Sequence, residues 1–129
     1  MTIPILIALA TFMIIVVDLP VSTHASSFTV TNQCQEPILM QCHSHDNNLG
    51  QHLMQQGAHG YWHYYGNLWT VFTCDFENGG RRLHQEVWTW NLAFRWASNW
   101  DIKWELREDG IWMLRDDLHG NDKLFGTWY

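Results

Sequence analysis

Residues 101–107 read DIKWELR, and Ile102, Trp104 and Leu106 alternate without a break with Asp101, Lys103, Glu105 and Arg107. A helix would scatter such a pattern around its axis. An extended strand, whose successive side chains point to opposite faces, gathers the three apolar ones on one side and the four charged ones on the other. Glu108-Asp109-Gly110 follows as a hairpin-type turn, and Ile111-Trp-Met-Leu resumes the apolar pattern.

The same reading extends along the chain. Phe28-Thr-Val-Thr alternates at period two, and Ile38-Leu-Met-Gln-Cys follows the turn signal Glu36-Pro37. LWTVFTCDF, residues 68–76, sets Leu68, Phe72, Cys74 and Phe76 on one face. Gly57, Gly60, Gly66, Gly79-Gly80, Gly110, Gly120 and Gly126 fall at intervals suited to short strands. No segment carries a helical stripe. EVWTWNLAFRW, residues 86–96, fits either state, and its aromatic content favours a strand. With 129 residues, 47% of them hydrophobic and nine of them Trp, the chain can build one core but not two. The expected fold is all-β: a small antiparallel β-sandwich of roughly seven or eight strands with one disulfide.

Ile3 to Val17 is an apolar run shorter than the ~20 residues a spanning helix needs. Small residues follow it, with Thr23 and Ala25 placed for signal-peptidase cleavage before Ser26. Residues 1–25 are therefore expected to be a signal peptide and 26–129 a single secreted β domain, with no membrane insertion after cleavage. No Lys or Arg precedes the run, and an uncleaved anchor is the alternative. Seven Lys and Arg against thirteen Asp and Glu leave a formal charge of −6, which argues against nucleic acid as a partner.

Secretion implies that two of the three cysteines, Cys34, Cys42 and Cys74, are paired. Spacing favours Cys42–Cys74 or Cys34–Cys74. Around Cys42 the chain reads QCHSHDNNLGQHL, which brings His43, His45, Asp46 and His52 close in sequence. No CxxC or HExxH spacing accompanies them, so neither a metal nor a cofactor is expected.

That stretch resembles a signature of the plant self-incompatibility S-protein family: a Cys ending a strand, a short polar run, Leu-Gly and His-x-Leu. Cys42, Ser44, Asp46, Leu49, Gly50, His52 and Leu53 fill those places. Thr31-Asn32, Gly57 to Trp62, TVFTCDF (70–76) and WELREDG (104–110) are similar to further family segments, so the resemblance covers nearly all of 28–114. It implies a Cys42–Cys74 bridge with Cys34 unpaired. It also implies that Asp46, Asn47, Asn48 and Gly50 form a turn, with His43 and His45 as solvated loop residues. The second cysteine pair usual in the family is missing. Ile102 stands at one of its positions, and Trp96, Trp100 and Trp104 are candidates to fill the space.

The resemblance further implies a secreted extracellular ligand in cell–cell recognition, in self-incompatibility or related signalling. Its partner would be a cell-surface receptor or another extracellular protein. Candidate partner-binding residues are His43, His45, Asp46, Asn47 and Asn48 in one loop and Asn78, Arg81 and Arg82 in another, with loops 55–59 and 118–123 as further candidates. Trp residues in excess of the core's needs would mark a partner patch. A carbohydrate-binding β-sandwich is the alternative. An enzyme is not expected: a hydrolase could pair Asp116 and Asp117 with His84 or His119, but adjacent carboxylates in a strand point to opposite faces.

Overall fold

The computed structural model describes residues 23–97, 99–115 and 121–129. The expected signal segment therefore lies outside the described residues except for its last three positions. So do Asp116, Asp117 and His119.

Nine strands and one short helix appear among the described residues: β1 (His24–Asn32), β2 (Ile38–His43), β3 (Asn48–Met54), β4 (His59–Gly66), β5 (Val71–Asn78), β6 (Arg81–Thr89), α1 (Trp90–Trp96), β7 (Asp101–Arg107), β8 (Gly110–Leu114) and β9 (Lys123–Thr127). They form two sheets, β4-β1-β7-β8-β9 and β3-β2-β5-β6. The sandwich is as expected; the strand count is higher than the expected seven or eight, and the sequence reading named no strand at β3, β4 or β9. One pairing also departs from an antiparallel scheme, because β1 and β7 run parallel, from Ser27 opposite Asp101 to Asn32 opposite Leu106.

The core is the set of inward positions the alternation selects. Phe28 and Val30 of β1, Ile102, Trp104 and Leu106 of β7, and Ile111 and Met113 of β8 face Ile38, Met40, Phe72, Phe76, Leu83 and Val87 of the other sheet, all buried. Two indole N–H groups find carbonyls: Trp104 Nε1 donates to Val87 O (2.8 Å), linking the sheets, and Trp88 Nε1 to Trp100 O (3.3 Å). These bonds let bulky rings be buried without stranding a polar atom. At the turn into β8, a Cβ on Gly110 would lie 1.9 Å from Gly126 O, so only glycine lets β9 approach there.

The strand preferred for 86–96 holds only to Thr89. There Thr89 Oγ1 accepts from Leu92 N (3.0 Å) with the threonine backbone extended, an N-cap that starts a helix. Trp90, Ala93 and Trp96 then recur at helical spacing; Ala93 is buried and the two Trp pack beside it. The aromatic content reports packing here, not backbone state. Leu68 is a second correction: it lies before β5, in the turn that Asn67 organises by accepting from Trp69 N (2.8 Å), and is exposed.

Rings pack where the resemblance would put a cysteine: Trp100 lies on Trp90 (centroids 4.5 Å apart), and Ile102 and Trp104 are buried.

Candidate recognition surface at the ends of the sandwich

Cys42 and Cys74 stand opposite each other on β2 and β5 and are joined by a disulfide. Cys34 is free and buried beneath Leu106, its thiol donating weakly to Leu106 O (3.8 Å). Burial chiefly, with Glu108 next, pushes that thiol up to about 11.

The bridge fixes the base of the turn that follows β2. Ser44 N donates to Asn47 O (2.7 Å), Asn47 N to Ser44 Oγ (3.1 Å), and Gly50 N to Asn48 Oδ1 (2.9 Å). Gly50 has φ +80, a conformation that disfavours other residues. His43, His45, Asp46 and Asn47 project outward from this turn. His52 does not join them. Its Nε2 meets Leu49 O (2.8 Å), and its ring lies edge-on to Trp62 across the open side of the sandwich. Among the described residues no three His, Cys, Asp or Glu side chains converge as metal ligands would.

Beside this turn lies the one joining β4 to β5, residues 67–70, and a groove separates the two. Trp69 is 78% exposed on its rim and Tyr65 72%, and Leu68, next to Trp69 in the turn, is 61% exposed. At the floor, Tyr64 Oη is buried without a hydrogen-bond partner among the described residues, and burial, aided by the charge of Asp101, raises its pKa. A stapled polar loop thus faces an exposed apolar one, and the groove offers a buried hydroxyl.

The other expected loop lies at the opposite end. Asn78 closes β5 and is 2% exposed. With its amide turned so that both ends are satisfied, it donates to Glu36 Oε2 (2.7 Å) and accepts from Arg81 Nη2 (2.9 Å). Arg81 also donates to Glu108 O (3.0 Å) and lies over Trp128. Arg82 exchanges two backbone bonds with Tyr129. Asn78 and Arg81 therefore hold this end of the sandwich together. Loop 55–59 is also at this end, since Met54 pairs with Ile38. Within 118–123, residues 118–120 lie outside the described residues, and Asp122 is engaged by Arg107 (2.7 Å). His84 meets Asp75 (2.5 Å) on the outer face of the four-stranded sheet.

Sequence reasoning missed turn 67–70 because Leu68 was assigned to a strand. The signal was present in Gly66-Asn67, a turn pair directly ahead of an apolar Leu-Trp.

Three comparisons bear on this architecture. A protein-family model described as plant self-incompatibility protein S1 matches residues 27–128. S-protein homolog 17 of Arabidopsis thaliana is 34% identical over 85 residues, 61% of this chain, and the chain spans 60% of that relative's length. Among solved structures, a self-incompatibility protein homologue superposes with a TM-score of 0.60 at 12% identity, covering 83% of this chain and 96% of that one. Its source describes a widespread family of small, highly stable, secreted plant proteins. That likeness carries the fold, and the family match carries the kinship. The chain belongs to the plant self-incompatibility S1 protein family.

Proposed function

We propose that this protein is a small secreted plant ligand that acts outside the cell in recognition between cells, binding by surface complementarity and not by catalysis. Its contact surface is the end of the sandwich built from turns 44–47 and 67–70. The observation that carries this reading is the exposed Trp69, flanked by Leu68 and Tyr65 and set across a groove from the disulfide-anchored polar turn. Exposed aromatics beside adaptable polar groups are the usual anchors of a protein interface. A rigid sheet beneath them lowers the ordering cost of binding. The partner is a cell-surface receptor or another extracellular protein. Secretion is supported by the apolar run of residues 3–17 and by the description of the family's solved member.

Fluorescently labelled protein applied to plant tissue sections tests the reading. Saturable binding is expected for the native protein and loss of at least tenfold in affinity for Trp69→Ala, with circular dichroism unchanged. Equal binding by Trp69→Ala and by an Arg82→Ala control, whose side chain is exposed at the opposite end, would refute the assignment of this end. N-terminal sequencing of extracellular protein tests processing, with Ser26 expected first and Met1 counting against secretion by cleavage.

A further inference from the structure

The two sheets end in four edge strands: β3 and β6 in one, β4 and β9 in the other. An open edge is a row of unpaired backbone donors and acceptors, and proteins blunt such rows with charges, prolines, irregularities or covering chain. Three of the four edges here are blunted. β6 is covered in part by Tyr129, which exchanges two backbone bonds with Arg82. β9 is five residues long, starts at Lys123, and shifts register against β8. β3 carries Gly50 at positive φ and shifts register against β2.

β4 has no such device. It runs eight residues, HGYWHYYG, with no Lys, Arg, Asp, Glu or Pro. Its register with β1 is unbroken from Thr31 opposite His59 to Ser26 opposite Tyr64, the pairs left after the expected cleavage before Ser26. Among the described residues β1 is its only strand partner.

The side chains on this edge are self-complementary. His59, Tyr61, His63 and Tyr65 all point to the exposed face. Residues directly opposite in an antiparallel pair share a face. A two-fold axis through Trp62 would therefore set Tyr61 opposite His63 of a second copy and His59 opposite Tyr65. Each ring faces one of the other kind, and no like charges meet. We propose that β4 is a self-association edge, through which two copies of this chain pair antiparallel into one sheet. The pairing shares Tyr65 with the surface at turns 44–47 and 67–70 but does not depend on that surface's recognition role.

Sedimentation equilibrium of the secreted protein over a range of concentrations tests it. The apparent mass is expected to rise toward twice that of the chain as concentration increases. Tyr61→Lys/His63→Lys and Tyr61→Glu/His63→Glu are each expected to stay monomeric. An equal mixture of the two should regain the doubled mass, because each lysine then meets a glutamate. A native protein that stays monomeric throughout overturns the proposal, leaving the edge to a different chain if to any. Double variants that associate as the native protein does overturn it too, and a monomeric mixture overturns the pairing about Trp62. If a variant fails to fold, amide exchange on the native protein decides. Slower exchange in β4 at high concentration than at low supports the edge, and equal exchange refutes it.

Discussion

At the scale of single residues, the three cysteines behave differently because of where the strands put them. The disulfide closes a loop between positions 32 residues apart, worth about 3–4 kcal/mol on the chain-entropy account. Cys42→Ala and Cys74→Ala should each lose about that much in urea unfolding, and the double substitution little more than either, since both remove one bond. A double variant showing the sum of two such losses would mean the bridge is not the shared cause. Cys34 gives a pH prediction. Its folded pKa, about 11, lies above its ordinary value of 9.0, so the folded state keeps a proton that the unfolded chain has released. Stability from this group is intact below pH 9 and falls as pH rises from about 9 to about 11. Cys34→Ala should flatten that part of the melting-temperature profile, and in the native protein the thiol should resist iodoacetamide at pH 8 until denaturant is added. Asn78 shows what the sequence withholds at this scale. A polar residue at a glycine turn reads as exposed, and only the fold reveals that Glu36 and Arg81 enclose its amide.

At the scale of elements, alternation made β1, β2, β5, β7 and β8 legible, because each has one face in the core and one in water, and period two follows from that alone. β9 was not legible. Lys123 and Leu124 are exposed and Phe125 and Gly126 only half-buried, so no alternation is imposed on them. The helix was missed because its start depends on one threonine and its length on packing. Thr89→Ala should therefore cost about 1 kcal/mol in chemical denaturation and leave the sheets intact, as expected for a lost N-cap. A larger loss would mean that Thr89 acts through β6 instead. The turn after β2 has its own test. Its hydrogen bonds come from Ser44, Asn47 and Asn48, not from its histidines, so His43→Ala and His45→Ala should each change stability by less than about 0.5 kcal/mol. A greater change would assign the imidazoles a structural role.

At the scale of the whole molecule, the sequence pointed to a sandwich but not to which loops share an end of it. Loops 43–48 and 78–82 look alike as polar turns, yet β2 and β5 lie side by side between them and hold them a strand's length apart. Only topology distinguishes them, and topology is a property of pairing partners far apart along the chain. The parallel contact between β1 and β7 carries this furthest. β1 occupies an interior position in its sheet, and the neighbour on one side, anchored by Ser27 Oγ donating to Asp101 (2.7 Å), comes 74 residues later. During synthesis, the first strand of the fold must wait for almost the whole chain before its second flank exists. Closing so long a loop is entropically expensive before any contact rewards it. The five-stranded sheet can thus be completed only once β7 has been made, and until then one flank of β1 has no strand beside it. Chains stalled before Asp101 should be cut rapidly by protease while chains extending through Tyr129 resist it, and a resistant stalled chain would show that the four-stranded sheet can shelter β1 alone.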